Sequence, residues 1–255
     1  MFCKATVTVF FTMILISSSV AGVGESAVIT LSLPFGARST AMGELGTALA
    51  DDGSALFFNP AGLGVRNSGW RRGAASESYK NILPAFKLSE LWHHAIAITY
   101  QTPRPDIGGF GSYFSYLNMG RNEISDALGR RIRETTSYEW VLASGWGFSF
   151  AELGDSTRYY GITTKYVLSA LAPGLGENGE GVASGFAFDI GYLHLFKHGF
   201  RYGITFNNMG PHIYYIDRNS RVPLPFTMNA AFGYKRTFCS RGIEFFRATA
   251  ELRRL

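Results

Sequence analysis

Few residues of this chain stand at spacings that could do chemistry. His93 and His94 are adjacent within an alternating segment, so their side chains point to opposite faces and cannot chelate one metal together. His194, His198 and His212 fall at strand ends or in loops without ligand spacing. Gly174-Leu175-Gly176-Glu177-Asn178-Gly179 has the letters of a dinucleotide-binding loop. That motif needs a helix after it to receive phosphate, whereas here an acidic stretch and another strand follow. Asn178-Gly179 is ordinary turn chemistry. No Ser/His/Asp set sits in a nucleophile elbow, and no carboxylate pair stands out. Cys3 lies in an apolar leader, which leaves Cys239 without a partner and without a flanking histidine to activate it. The expectation is a protein with no catalytic residues, no cofactor and no metal site.

Two polar groupings remain. A hairpin centred near Gly176 and Glu177 makes facing positions sum to about 354, which sets Lys165 opposite Asp189 within a register step or two. Both have inward parity, so the spacing predicts a lumenal ion pair; the alternative is that each is solvated in a wet interior. Arg121, Arg130, Arg131 and Arg133 crowd a second region. They could contact anionic surface polysaccharide or a partner, or form a solvated loop neutralised by Glu123, Asp126 and Glu134.

The elements that must position these groups are strands. In the clearest of six alternating segments, Tyr138, Trp140, Leu142, Trp146, Phe148 and Phe150 interleave with Glu139, Val141, Ala143, Gly145, Gly147 and Ser149. Side chains of a strand point alternately to its two faces, so the bulky apolar groups share one face and small residues the other. Similar runs lie at 95–101, 160–169, 185–192, 200–207 and 226–235. A soluble antiparallel sheet with one wet face places charged or hydroxyl side chains there. Bulky on one side and slender on the other instead predicts a lipid-facing antiparallel β-barrel around a crowded interior. A soluble secreted β-sandwich or lipid-binding barrel is the rival. Aromatics at 15% and 30 glycines suit interfacial girdles and tight turns.

Link lengths point the same way. The stretches 117–137, 172–181 and 208–224 read as long links, while 151–157, 197–199 and 236–242 read as short ones. Outer-membrane barrels sort their connections like this, with long loops outside and short turns in the periplasm. About nine or ten strands are expected, the least distinct near Trp70–Tyr79 and Leu83–Leu88 and the last over Phe245–Leu252. A single-chain barrel has an even number of strands, so the coding sequence is expected to stop before closure or to form a small barrel.

Lys4, an apolar run over Ala5–Ile16 and the small residues Ser19-Val20-Ala21 have the form of a secretory signal over 1–21. The apolar run is shorter than the ~20 residues of a spanning helix, the competing reading. The chain therefore divides into a signal peptide (1–21), an N-terminal hatch or plug segment (22–66) and the barrel (67–255). The formal charge of +5 is spread through loops, and no nucleic-acid partner is expected.

The 22–66 segment is rich in Gly and Ala and fits a plug against the slender face of the strands, with a plain linker as the alternative. Asp51 or Asp52 could cap a short helix over Ala55–Phe58, ended by Pro60. Its residues Gly36-Ala37-Arg38, Met42-Gly43, Ala48-Leu49-Ala50-Asp51-Asp52 and Asn59-Pro60-Ala61-Gly62-Leu63 carry a resemblance, as do Leu171-Ala172-Pro173, Phe186-Ala187-Phe188-Asp189-Ile190-Gly191, Asn207-Asn208-Met209-Gly210-Pro211 and Pro223-Leu224-Pro225. In this order they are similar to PorV/PorQ-type outer-membrane proteins, distant relatives of the long-chain fatty-acid transporter FadL. The resemblance covers most of the mature chain. It implies a barrel of about fourteen strands with the N-terminal element as a hatch inside it, and this chain has room for fewer. It also implies either protein export or surface attachment of the type IX secretion kind, or a FadL-like channel for hydrophobic small molecules. The partners implied are outer-membrane lipid, secretion-machinery proteins or exported cargo, or a hydrophobic ligand. Intact-mass measurement of the protein from its native envelope should find a chain beginning at Gly22; a retained Met1 would sink the leader assignment.

Overall fold

The computed structural model describes residues 26–65, 73–83, 90–104, 107–125, 128–153, 156–174, 181–215, 221–237 and 244–254. The leader, Cys239, the turn at 175–180 and all but the first residue of the Leu83–Leu88 candidate strand lie outside them. Alternation produces the strands β1 (Gly73–Asn81), β2 (Leu91–Gln101), β3 (Gly109–Ser125), β4 (Arg131–Leu153), β5 (Ser156–Ala170), β6 (Val182–Phe196) and β7 (Phe200–Met209). Two short strands, β8 (Ile213–Tyr214) and β9 (Arg221–Val222), precede β10 (Thr227–Thr237) and β11 (Glu244–Arg254). The fold is all-β. Nine strands form one antiparallel half-barrel sheet in the order β1-β2-β3-β4-β5-β6-β7-β10-β11, with β8 and β9 pairing separately.

The two faces differ as alternation predicts. Ile98, Phe114, Leu142, Ile162, Phe186, Phe188, Ile190 and Phe232 are exposed, each 44% or more. Their strand neighbours Ala97, Val141, Ala143, Val167 and Ala187 are buried at 1% or less. Bulky outside and slender inside is the reverse of a soluble sheet packed on a second layer.

Aromatic rings gather at two levels of the outer face. Tyr79, Trp92, Tyr116 and Tyr138 follow one another across β1–β4 with centroids 6.0, 5.4 and 5.9 Å apart. At the other level Phe110, Trp146, Phe148, Tyr160, Tyr192, Tyr202 and Phe232 run from β3 to β10 at 4.3 to 6.2 Å. On β4, Tyr138 and Trp146 mark these levels, about 26 Å apart along the strand and ~20 Å along an axis tilted ~40° to it. Isoleucine, leucine and phenylalanine fill the band between.

The charged stretch between Leu117 and Ser137 is not the long loop that its polarity predicts. β3 and β4 continue through it, pairing Arg121 with Thr136, Asn122 with Thr135 and Ile124 with Arg133. Their register shifts between Asn118 and Arg121, where Gly120 has φ 82°. Backbone pairing does not need an apolar face, so a hairpin standing clear of the apolar band can be polar on both sides. The connection after β7 is likewise folded: β8 and β9 form within it, and Ile213 and Leu224 are buried at 2% and 5%.

What fills the concave side is residues 26–65. They form a 3₁₀ turn at Ile29–Ser32, helices α1 (Ala37–Ala41) and α2 (Ala55–Phe58), and a second 3₁₀ turn at Pro60–Gly64. Leu31, Phe35, Leu56 and Leu63 join one core with Ala95, Ala97, Val141, Ala143 and Val167 of the sheet.

Contact is closest along a row of glycines. Gly109 pairs with Gly147, Gly147 with Gly161, and Gly161 with Gly191, so four strands carry glycine at one level. A Cβ at Gly161 or Gly191 would collide with Pro60 or Asn59, and one at Gly147 would lie 2.5 Å from the Pro60 oxygen. These glycines make a trench one side chain deep, and the Asn59–Gly64 turn lies in it. Gly161→Val should therefore cost several kcal/mol, more than the ~1–3 of ordinary overpacking, because rigid backbone stands in the way. Gly73→Ala, where an added Cβ meets nothing nearer than 3.6 Å, should be nearly neutral. Denaturant titration of both variants in detergent checks this, and equal stabilities would refute the trench.

Candidate functional site

The residues singled out in the N-terminal segment come together in two places. The first is the turn in the trench. α2 spans Ala55–Phe58 as the sequence predicts, but Ser54 is its N-cap residue. Asp52 acts one step earlier, its Oδ1 accepting from the Ser54 amide at 2.9 Å and from the Ser54 hydroxyl. Asn59 is extended at φ −153°, ψ 103°, as a residue before proline prefers, and Pro60 then opens the 3₁₀ turn.

The Asn59 carboxamide is fully buried and has three partners. Its Oδ1 accepts from the Ala61 amide at 3.1 Å; its Nδ2 donates to the carbonyls of Thr47 at 2.8 Å and Tyr192 at 3.1 Å. One side chain thus caps the turn, ties it to the preceding segment and fastens it to β6. Ala61, Gly62 and Leu63 are buried behind it, and the Ala50 carbonyl leaves no room for a side chain at Gly62.

The second place is an ion-pair cluster. Gly36, at φ 89°, leads into α1, and Arg38 within that helix reaches Asp51 at 2.8 Å and Asp52 at 2.6 Å. Burial opposes the Arg38 charge, yet the two carboxylates more than offset it and hold its pKa above the ordinary value. Asp51 also lies 3.6 Å from Arg201 of β7, so the cluster joins the segment to the sheet. Met42 closes α1 with its amide on the Arg38 carbonyl at 3.2 Å, and Gly43 turns the chain at φ 73°. Nearby, Lys80 of β1 donates to the Pro34 carbonyl at 2.9 Å.

Lys165 and Asp189 are on the concave side. The expected direct opposition is off by one register step: Lys165 faces Ala187 and Asp189 faces Thr163, so paired positions sum to 352. The ion pair forms on the diagonal, Nζ to Oδ2 at 2.8 Å, with side-chain exposures of 1% and 0%, so neither is solvated. Asn208 completes it, accepting from Lys165 Nζ at 2.7 Å and donating its backbone N–H to Asp189 Oδ1 at 2.8 Å. Asn208 sits at φ 60° in the β6–β7 register shift, a conformation Asn tolerates better than most residues. The bulge presents its amide to the carboxylate.

Glu139, which drew no attention as a sequence, carries a parallel role. Its Oε2 accepts from the Thr30 amide at 2.9 Å and the Thr30 hydroxyl at 2.8 Å, and its Oε1 accepts from Ser169 at 2.8 Å. Tyr215 donates to the same Ser169 hydroxyl at 2.9 Å, and burial pushes the Tyr215 phenol up. A carboxylate at inward parity among Val, Ala and Gly was the available signal.

His93 faces inward, 2.7 Å from Ser115 Oγ, and His94 faces outward, 2.7 Å from Glu77. His194 lies within β6, on the outer face between Tyr192, Phe196 and Tyr202. Arg121 and Arg131 pair with Glu90, Glu123 and Glu134, while Arg133 donates to the carbonyls of Pro173 and Gly174. Those three arginines stitch the projecting hairpin to itself and to its neighbours. Among the described residues no group of three or more His, Cys, Asp or Glu could hold a metal ion. A crevice between Asp51, Leu63, Thr99 and Phe110 holds about 10 Å³, the space of a single water.

No family model matches this sequence, and no curated protein matches it significantly.

Removing Lys165 leaves Asp189 charged and dry. Lys165→Met should cost about 3–5 kcal/mol, and adding Asp189→Asn, which keeps an acceptor for Asn208, should restore about half of it. A double-mutant cycle by denaturant titration measures this; additive losses would mean the two side chains are independent.

Proposed function

We propose that this chain is a non-enzymatic outer-membrane β-barrel protein of PorV/PorQ type, exported through its leader and serving protein export or surface attachment. The observation that carries the membrane part is the outer face: bulky apolar side chains exposed in a band, with aromatic rings at both margins. Exposing that much contiguous apolar surface to water would be costly, and hydrocarbon removes the cost. Residues 26–65 are the hatch of this barrel, held by the trench, by Asn59 and by Glu139.

Support for protein handling over a small-molecule channel comes from the interior and the rim. The crevice beside the hatch has room for a water and not for a fatty acid. At one end the β3–β4 hairpin carries exposed Leu128 and Ile132, at 78% and 66%, above the aromatic level. Apolar side chains on a projecting polar hairpin suit contact with another protein. A FadL-like conduit would need the hatch to leave the trench.

Two measurements test this. The protein should fractionate with outer membranes and require detergent for extraction; recovery in an aqueous periplasmic fraction would favour the soluble rival. Deleting the gene should change the set of surface or secreted proteins and leave uptake of hydrophobic substrates intact, and the opposite pattern would replace export with the channel reading.

A further inference from the structure

Cationic and apolar features meet on the outer face just beyond the second aromatic level. Arg158 of β5 stands directly opposite His194 of β6, two residues past the paired Tyr160 and Tyr192. Arg158 is exposed, and among the described residues it makes no ion pair. Lys197 and His198 occupy the tight turn that follows β6, both exposed.

His194 is unusual for an outward side chain. It is 6% exposed, stacked on Phe196 at 4.2 Å, and its Nδ1 lies 3.0 Å from the Tyr202 hydroxyl. Its Nε2 is buried without a hydrogen-bond partner. A buried ring nitrogen left so is costly unless a ligand supplies the missing group. The two aromatic residues that hold His194, Phe196 and Tyr202, also line a groove of about 370 Å³ whose other walls include Phe200 and Phe232.

We propose that this surface binds a phospholipid, with Arg158 and His194 on the headgroup phosphate and an acyl chain along Phe196, Phe200, Tyr202 and Phe232. A free anion would have no use for the groove, and a neutral hydrocarbon would have no use for Arg158. The site lies beside the aromatic ring row, at the level where headgroups of a bilayer begin. This inference rests on the membrane reading above. It adds a specific lipid position on the short-turn side of the barrel.

The test uses the full mature chain extracted in detergent, with native mass spectrometry counting retained lipid after adding phosphatidylglycerol or diacylglycerol of equal chain length. Wild-type protein should retain the phosphate-bearing lipid roughly tenfold better, the scale of one charge-assisted contact. Arg158→Gln should bring phosphatidylglycerol down to the diacylglycerol level. Phe232→Ala should lower retention of both lipids, and Arg121→Gln, on the far hairpin, should change neither. Equal retention of the two lipids by wild type, or an unchanged Arg158→Gln variant, would overturn the site. If that happens in protein recovered from outer membranes, the lipid site alone falls. Recovery as a soluble protein overturns the membrane reading and this site with it.

Discussion

The structure depends on one close approach: the backbone of Asn59–Gly64 lying in a trench of glycines that runs across four strands. A curved sheet with a slender inner face would enclose empty space, and voids of that size forfeit contacts on every lining atom. Residues 26–65 fill it. The fit requires glycine at Gly147, Gly161 and Gly191, because what they meet is backbone or the committed carboxamide of Asn59, neither of which can move aside.

Close approach alone would leave buried polar groups, and the interior answers each with a specific partner. Asn59 takes up the carbonyls of Thr47 and Tyr192, Glu139 holds Thr30, and Asp189 holds both Lys165 and the bulged amide of Asn208. Two of these three fasten the N-terminal segment to the sheet; the third fixes the geometry of the β6–β7 bulge. A buried charge is tolerable only when paired and hydrogen-bonded, so the carboxylates restrict where the segment can sit as much as they stabilise it. The outer face has no such network over most of its height and is apolar between its aromatic levels. Polarity has been concentrated inside, which is the arrangement a hydrocarbon solvent favours and water does not.

The strands and their facing were legible because the side-chain period of two is local: Tyr138 through Phe148 declare it without reference to any other segment. The short helix over Ala55–Phe58 was legible for the same reason, since Pro60 and the preceding acidic residues act within one turn. Its cap was assigned to the wrong residue, because Asp51 and Asp52 have a stronger claim on Arg38, a contact that exists only once α1 has folded against them. The charged stretch 117–137 reads as loop from composition. It is strand because β3 and β4 are already in register when they reach it, and pairing propagates from the wall outward.

By itself the sequence determined which side of each strand is bulky, where the chain reverses and which segment is built for close packing, all of them consequences of residue size and backbone freedom along a few neighbours. Tertiary structure alone decided the register that puts Gly109, Gly147, Gly161 and Gly191 at one level, the diagonal in place of the direct Lys165–Asp189 contact, and the use of Glu139 as an anchor for Thr30. Those depend on how far one strand slides along the next and on what is pressed against it. That is a balance of contacts between residues up to 109 positions apart, and no short stretch of chain contains it.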